Sequence, residues 1–201
     1  IQLLRTLIGE LEKQARLKKQ PIDCVLSSST TTGLEVATRG HQKDHVFPCP
    51  LDFSWAIKKT LDRVRPDLLV LGELELWPNL LRIAEDYRIP VLVVNGRMSQ
   101  RSYQGYSKIR RFAGIMLQRV SLVLSRSHED SERFKTLGAP AVETIGSLKF
   151  DGIYGDQHQD EVKQLQKIIG IYDDDFVFVA GSTQHPEEML AVETFLQQQK
   201  I

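Results

Sequence analysis

The sequence has few cysteines, no net charge and no long hydrophobic run. Its 201 residues include 2 cysteines, Cys24 and Cys49, without a Cys-x-x-Cys motif, which favours a reduced, cytosolic protein over a disulfide-bonded one. The 26 basic and 26 acidic residues cancel, so no affinity for bulk polyanions is predicted. No apolar run approaches the ~20 residues that a membrane-spanning helix needs, and no segment resembles a signal peptide.

Two kinds of ligand site are also missing from the sequence. There is no Gly-x-Gly-x-x-Gly fingerprint, so NAD binding is not expected, and we predict no cofactor. His41 and His45 have a spacing that binds zinc when both lie on one helix. Gly40 before them and the extended run Val46–Pro48 after them oppose a helix, so no metal site is predicted.

What the sequence does contain is an alternation of apolar strand-like and amphipathic helix-like segments. This pattern is typical of an α/β domain built on a parallel sheet with right-handed crossovers. Predicted strands are 22–26, 46–47, 67–72, 91–94, 122–124, 142–145 and 176–180. Predicted helices are 2–19, a short one opened by the turn 30–33, 53–64, one begun by Pro78, 103–119, 129–137, 160–170 and 186–199. Ser127 is predicted to cap the helix 129–137, with Asp130 at the capping-box position, and Gly138 is predicted to end it.

The alternation predicts two domains. Residues 1–146 read as one Rossmann-like domain, 147–159 as an interdomain linker, and 160–201 as the start of a second α/β domain. One strand with two helices cannot bury a core by itself, so the second domain is expected to be incomplete. Because Ile1 already lies inside an amphipathic pattern, we expect the chain to be a fragment of a longer protein.

Residues 68–79, Leu-Leu-Val-Leu-Gly-Glu-Leu-Glu-Leu-Trp-Pro-Asn, place two carboxylates directly after a buried strand. Ligands of open α/β sheets bind at the carboxyl ends of the strands, and carboxylates are costly to desolvate. Glu73, which follows Gly72 at once, is therefore predicted to be functional. For Glu75 a functional role and the plain alternative, a solvated loop acid or a cap of the helix that Pro78 begins, are equally well supported.

Four further motifs follow predicted strands or turns. A Thr-rich turn precedes a helix, a polar loop follows the fourth predicted strand, a Gly-Ser turn precedes a lysine, and small hydroxyl residues precede the last helix. They are Ser-Ser-Thr-Thr-Thr-Gly at 28–33, Asn-Gly-Arg-Met-Ser at 95–99, Gly-Ser-Leu-Lys-Phe-Asp at 146–151, and Ala-Gly-Ser-Thr at 180–183 with Glu187-Glu188.

Together with Glu-Leu-Glu-Leu-Trp-Pro-Asn, these motifs resemble those of the 3-deoxy-D-manno-octulosonic acid (Kdo) transferases. Members of that family are glycosyltransferases that move Kdo from CMP-Kdo to lipid A precursor. The motifs keep the family's order and spacing across nearly all of the chain. Three positions depart from the pattern: Leu74 stands where the family has Thr, Gly96 replaces Ala, and His185 lies one place later than the family's His.

The resemblance implies the glycosyltransferase-B fold, in which two Rossmann-like domains face each other, and an inverting, metal-independent reaction. It assigns transition-state stabilisation to Glu73 and Lys149, although the position of Lys149 alone favours a surface lysine in a linker. The family's general base is a glutamate that would lie just upstream of Ile1. Most CMP contacts would lie beyond Ile201, so we expect the 201-residue chain itself to be inactive.

Substrate contacts are predicted at the strand ends and at the final turn. The candidates are Glu75, Asn95, Arg97, Ser99, Ser182 and Thr183. Hydroxyl and backbone N–H groups before a helix suit a phosphate or nucleotide, which is the reason for including the last two. Simple helix capping explains Ser182 and Thr183 equally well.

No acidic residue occurs between Tyr87 and His128, whereas eight basic residues do. Such a surface favours a phosphorylated acceptor in an anionic membrane. Nucleic acid is not predicted because stacking aromatics are sparse there, and an ordinary solvated helix face is the plain alternative. We expect the protein at the cytoplasmic face of the bacterial inner membrane, held peripherally or by a segment outside these residues.

Two other functions remain open on the sequence. One is a glycosyltransferase of the same fold that uses a different sugar nucleotide. The other is a non-catalytic Rossmann-like binding module, for which residues 1–146 would suffice.

Overall fold

The computed structural model describes residues 1–39, 45–147, 159–172, 175 and 177–198. The chain forms two compact units, Ile1–Tyr154 and Gly155–Ile201. Helices are α1 Gln2–Lys18, α2 Thr31–Thr38, α3 Ser54–Val64, α4 Pro78–Asp86, α5 Gln100–Lys108, α6 Arg110–Leu117, α7 His128–Leu137, α8 Gln159–Ile169 and α9 Glu187–Gln198. Strands are β1 Leu26–Ser28, β2 Val46–Pro48, β3 Leu69–Gly72, β4 Val91–Gly96, β5 Leu122–Ser125 and β6 Val142–Thr144.

All described strands pair in parallel, as the sequence predicts for an α/β fold. β1 and β2 form a two-stranded sheet, and β3, β4, β5 and β6 form a four-stranded sheet in that order. β4 lies inside the larger sheet and reads as a continuous apolar run because helices cover both faces of a parallel sheet. Its residues Val91, Val93 and Val94 are almost fully buried.

The larger sheet carries the main hydrophobic core of the first unit. Leu71 of β3, Val93 of β4 and Val123 of β5 belong to one buried cluster with Leu81 of α4 and Phe134 of α7. A smaller cluster of Ile8, Leu26 and Ala37 belongs to α1, β1 and α2. The first unit therefore buries its apolar surface in separate clusters, with the small sheet supported mainly by the second.

Several helix ends follow the local chemistry that the sequence predicts. Pro78 is the first residue of α4, and Ser127 caps α7 by accepting a hydrogen bond from the Asp130 N–H at 3.2 Å. Gly138 ends α7 with φ 106°, a left-handed conformation that glycine adopts without steric cost. These three predictions are confirmed.

Three predicted elements differ in the structure. The first strand is Leu26–Ser28 rather than 22–26, since its partner β2 begins at Val46 and pairs with Leu26; Ile22 and Val25 stay 46% and 41% exposed. The predicted helix 103–119 is two helices, because Ile109 has φ −115° and ψ 36° and so interrupts the helical backbone.

The third difference lies in the second unit. The sequence predicts a strand over 176–180, but the described residues 177–180 form no strand, and Val179 is 80% exposed. A parallel strand needs a hydrogen-bonding partner, and the part of this unit that the structure describes contains only α8 and α9 as regular elements.

Among the described residues, none of the helices has both the length and the apolar character needed to cross a membrane.

Candidate functional site

The predicted site residues of the first unit lie where neighbouring strands end. Gly72 pairs with Val94, so Glu73 and Asn95 occupy adjacent positions at the carboxyl edge of the four-stranded sheet. Gly96 pairs with Ser125 of the next strand. This edge is where open α/β sheets bind ligands.

Glu73 is held in an unusual backbone conformation. Its φ is 63°, in the left-handed region, while its N–H continues the sheet by donating to the Val94 carbonyl at 2.9 Å. A non-glycine residue in this region is strained by about 1–2 kcal/mol. The side chain is exposed, and no hydrogen bond or ion pair to its carboxylate occurs among the described residues. The strand thus fixes the backbone and leaves the carboxylate available.

Glu75 lies in a different setting. The strand ends at Gly72, so the two glutamates do not continue an extended strand, and Glu75 accepts a 2.9 Å hydrogen bond from the indole Nε1 of Trp77. Leu74 and Leu76, which alternate with the glutamates, pack against the main core. The apolar residues of the motif therefore anchor it, and the acidic ones face solvent.

Neither glutamate caps α4, which removes that alternative for Glu75. The cap comes from Asp52, whose carboxylate accepts hydrogen bonds from the N–H groups of Asn79 at 3.0 Å and Leu80 at 2.9 Å. The side-chain amide of Asn79 also donates a hydrogen bond to the backbone carbonyl of Asp52 at 2.7 Å. Sequence reasoning missed Asp52, because it lies 27 residues before Asn79 and carries no local capping signal.

Asn95 combines a left-handed backbone with burial. Its φ is 53°, its side chain is 2% exposed, and its Oδ1 has no hydrogen-bond partner among the described residues. The register with β5 shifts between Val93 and Gly96, where β4 contains one residue more than its partner. Such bulges re-aim side chains and occur beside active sites, and a buried amide oxygen without a partner requires an explanation.

The residues after β4 are held by α7. The Arg97 side chain is exposed, whereas its neighbour Met98 is fully buried. Asp130, which the sequence placed in a capping box, accepts from the Met98 N–H at 2.8 Å and from the Ser127 hydroxyl at 2.7 Å. The predicted substrate residue Ser99 is the cap of α5 and accepts from the Ser102 N–H at 3.1 Å.

The Thr-rich turn after β1 is built around a glycine. Thr30 caps α2 through a hydrogen bond from the Gly33 N–H at 3.1 Å. A Cβ at Gly33 would lie 2.1 Å from the Ser28 hydroxyl and 2.7 Å from that of Thr30, so only glycine fits without a shift.

Burial raises the pKa of the nearby Cys49 thiol, and the Glu75 carboxylate adds a smaller effect of the same sign.

The remaining predicted residues are not brought into this edge by the described structure. Lys149 and His41 lie outside the described residues. Ser182 and Thr183 belong to the second unit, and they do not cap α9, which begins at Glu187. Groups of three or more His, Cys, Asp or Glu side chains placed to hold a metal ion are not found in the described parts of the chain.

Comparison with known proteins identifies the family. The family model described as 3-deoxy-D-manno-octulosonic-acid transferase (kdotransferase) matches residues 1–152. A bifunctional glycosyltransferase/methyltransferase of Fusobacterium nucleatum is 37% identical over 177 residues, covering 85% of this chain and 27% of that protein. A 3-deoxy-D-manno-octulosonic acid transferase of Haemophilus influenzae is 28% identical over 188 residues, covering 92% of this chain and 43% of the relative.

A third relative, the 3-deoxy-D-manno-octulosonic acid transferase of Aquifex aeolicus, is 31% identical over 113 residues, or 56% of this chain and 29% of the relative. The chain thus spans less than half the length of these relatives. The family match covers the whole carboxyl edge described above, including Glu73, Asn95 and Arg97. The chain belongs to the 3-deoxy-D-manno-octulosonic acid transferase family.

Proposed function

We propose that the full-length protein transfers Kdo from CMP-Kdo to lipid A precursor during lipopolysaccharide biosynthesis, with inversion at the anomeric carbon and without a metal ion. The observation that carries the proposal is Glu73, whose strained backbone is fixed at the carboxyl edge of a parallel sheet and whose carboxylate is exposed there. Family membership supports glycosyl transfer, and the motif resemblance supports the choice of donor and acceptor.

Glu73 acts in this proposal by stabilising charge. Cleavage of the bond between Kdo and CMP develops positive character on the sugar ring, which a fixed carboxylate stabilises. The backbone of Glu73 requires no reorganisation, because its N–H is already bonded to the Val94 carbonyl. Lys149 would stabilise the negative charge that grows on the departing CMP. The general base, a glutamate upstream of Ile1, would deprotonate the acceptor hydroxyl.

The two units divide the substrates between them in this proposal. Unit one, with Glu75, Asn95, Arg97 and Ser99, binds the lipid acceptor. Unit two begins the donor domain of a glycosyltransferase-B fold, in which Ser182 and Thr183 contact CMP-Kdo. The alternative donor is another sugar nucleotide, since the name of the Fusobacterium relative specifies glycosyl transfer without naming a sugar.

The test is Glu73→Gln in the full-length protein. The substitution keeps the size of the side chain and removes its charge, so kcat for Kdo transfer should fall by roughly a hundredfold or more with little change in stability. Glu143→Gln, an equally conservative change of an exposed glutamate in β6, should leave kcat unchanged. Near-normal turnover by Glu73→Gln would remove this residue from the mechanism, and transfer from another sugar nucleotide in place of CMP-Kdo would select the alternative donor.

We also propose that α5 and α6 face an anionic membrane at the cytoplasmic side of the bacterial inner membrane. Arg101, Lys108 and Arg111 are exposed there, beside Phe112 and Ile115, which are 48% and 49% exposed. Each basic residue near such a surface contributes about 1 kcal/mol. Two other basic residues of the acid-free stretch are engaged within the protein: Arg110 donates to the Thr136 carbonyl at 3.0 Å, and Arg119 pairs with Glu85 at 2.8 Å.

Vesicle binding tests the membrane proposal. Changing Arg101, Lys108 and Arg111 to Gln together should weaken binding of the full-length protein to vesicles containing anionic lipid by about two orders of magnitude at low salt. The loss should shrink at high salt, where charges are screened over a few ångströms. The same three-charge removal on α3, at Lys58, Lys59 and Arg63, is the control. Equal effects of the two triple variants would contradict a role specific to α5 and α6.

A further inference from the structure

The short segment Gly96–Ser99 is fixed at every residue except for one side chain. The Gly96 carbonyl accepts from the Arg126 N–H at 3.0 Å, and the Ser99 hydroxyl is engaged in the cap of α5. Met98 is fully buried in the main core. Only the Arg97 side chain lies exposed, at the carboxyl edge next to Glu73 and Asn95.

Two side chains of α7 bind the backbone of Met98 from both sides. The Asp130 carboxylate accepts from its N–H at 2.8 Å, and the Arg133 guanidinium donates to its carbonyl at 2.7 Å. Asp130 is 4% exposed, and the Arg133 side chain is 22% exposed. A buried carboxylate is expensive unless its oxygens accept hydrogen bonds, and the second oxygen of Asp130 does so from the Ser127 hydroxyl.

Arg97 is an available cation in this arrangement. Arg133 forms an ion pair with Glu129 at 3.4 Å, and the Asp130 carboxylate accepts two hydrogen bonds, so both are engaged within the protein. The residues 87–128 around Arg97 contain no acidic side chain, and among the described residues Arg97 forms no salt bridge. The contacts on Met98 hold the backbone from which the Arg97 side chain extends, and the guanidinium offers a planar fork of donors that matches the oxygens of a phosphate or carboxylate.

We infer that Asp130 and Arg133 are positioning residues, which clamp the Met98 backbone so that Arg97 binds an anionic phosphate or carboxylate group of the substrate. The inference rests on the function proposed above, in which this edge binds substrate. Holding the backbone at Arg97 in place before binding reduces the backbone freedom that would otherwise be lost, which strengthens binding without adding a contact. The function proposed above assigns this anionic group to the lipid acceptor, and the test below distinguishes it from a group of the sugar-nucleotide donor.

The kinetic test uses single and double variants of the full-length enzyme. Arg97→Ala should raise the KM of one substrate by about 10- to 100-fold with little change in kcat, and Arg133→Ala should raise the same KM by a smaller factor. If Arg133 acts through Arg97, the double variant should be no worse than Arg97→Ala alone. Arg133→Lys, which keeps a donor for the Met98 carbonyl, should restore most of the affinity.

The substrate whose KM responds identifies the source of the anion. A rise for the acceptor alone assigns its phosphate, and a rise for CMP-Kdo alone assigns the donor. Lys135→Ala is the matched control on α7, because Lys135 pairs only with the exposed Glu132, at 3.0 Å. Additive effects of Arg97→Ala and Arg133→Ala, or an equal effect of Lys135→Ala, would overturn the positioning role.

Hydrogen exchange on the 201-residue chain tests the clamp without any enzymatic reaction. The Met98 amide should exchange at least tenfold faster in Asp130→Ala, which removes the acceptor of its N–H, than in the unchanged protein, while amides within β4 keep their protection. Unchanged exchange at Met98 would overturn the clamp itself. If exchange at Met98 becomes faster but Arg97→Ala leaves both KM values unaltered, the clamp has only a structural role and the proposed substrate contact of Arg97 is wrong.

Discussion

The left-handed backbone of Glu73 predicts that replacing this residue by glycine stabilises the protein. At φ 63° a side chain that bears a Cβ is strained by about 1–2 kcal/mol, and glycine relieves this strain. Glycine also increases the conformational freedom of the unfolded chain, which costs about 0.4–1 kcal/mol. The difference leaves Glu73→Gly more stable by about 0.5–1 kcal/mol. Glu73→Ala keeps the strain and should change stability little.

Urea unfolding of the 201-residue chain measures this effect. With a slope of about 2 kcal/mol per molar urea, the midpoint of Glu73→Gly should lie about 0.4 M above that of Glu73→Ala. Arg88 is the matched control, since it is exposed and has φ 59° but no proposed role in the reaction. Arg88→Gly should therefore gain a similar amount of stability.

The comparison of these variants decides the argument. If Arg88→Gly is stabilised and Glu73→Gly is not more stable than Glu73→Ala, Glu73 is not strained and its φ carries no functional meaning. If both glycine variants are stabilised, the native protein keeps a less stable residue at position 73. That pattern is expected where activity requires a side chain that stability does not favour.

Three further outcomes are expected from features away from Glu73. Asp52→Ala should lower the free energy of unfolding by about 0.5–2 kcal/mol, because α4 loses its cap, and chemical denaturation measures the change. Gly33→Ala should also lower the free energy of unfolding, by about 1–2 kcal/mol, since the new Cβ displaces the hydroxyls of Ser28 and Thr30. Thermal unfolding measures the change, and Gly9→Ala is the control because a Cβ there meets nothing within 4 Å. The raised pKa of Cys49 should slow its alkylation by iodoacetamide at pH 8 relative to the urea-unfolded chain. Because the folded state holds the thiol proton more tightly, this contribution to stability is fully present below the ordinary thiol pKa and is lost as the pH rises through the raised pKa of the folded state.

The elements that could be predicted from the sequence are those whose signals are local. Pro78 marks the start of α4, Ser127 the start of α7 and Gly138 its end, since each acts within a few residues of its own position. The break at Ile109 has no such signal. Its neighbours suit a helix on both sides, and the break is visible only in the backbone angles of Ile109.

The position of the site could be predicted more fully than its geometry. Apolar runs that stop at Glu73 and Asn95 indicate strand ends, and parallel strands bring those ends together. The left-handed φ of both residues and the extra residue in β4 depend on the register between strands, which no single segment encodes. The contact of Asp130 with the Met98 N–H was missed for the same reason, because 32 residues separate them.

The capping of α4 by Asp52 has a consequence for exchanging parts of this chain with those of its relatives. Asp52 lies between the small sheet and α3, whereas the helix it caps follows β3 of the large sheet. A chimaera joined anywhere between residues 53 and 78 therefore takes the cap from one parent and the helix from the other. Such a hybrid needs an acceptor at position 52 to keep the Glu-Leu-Glu-Leu-Trp-Pro-Asn motif in place, even when every residue of the motif is native.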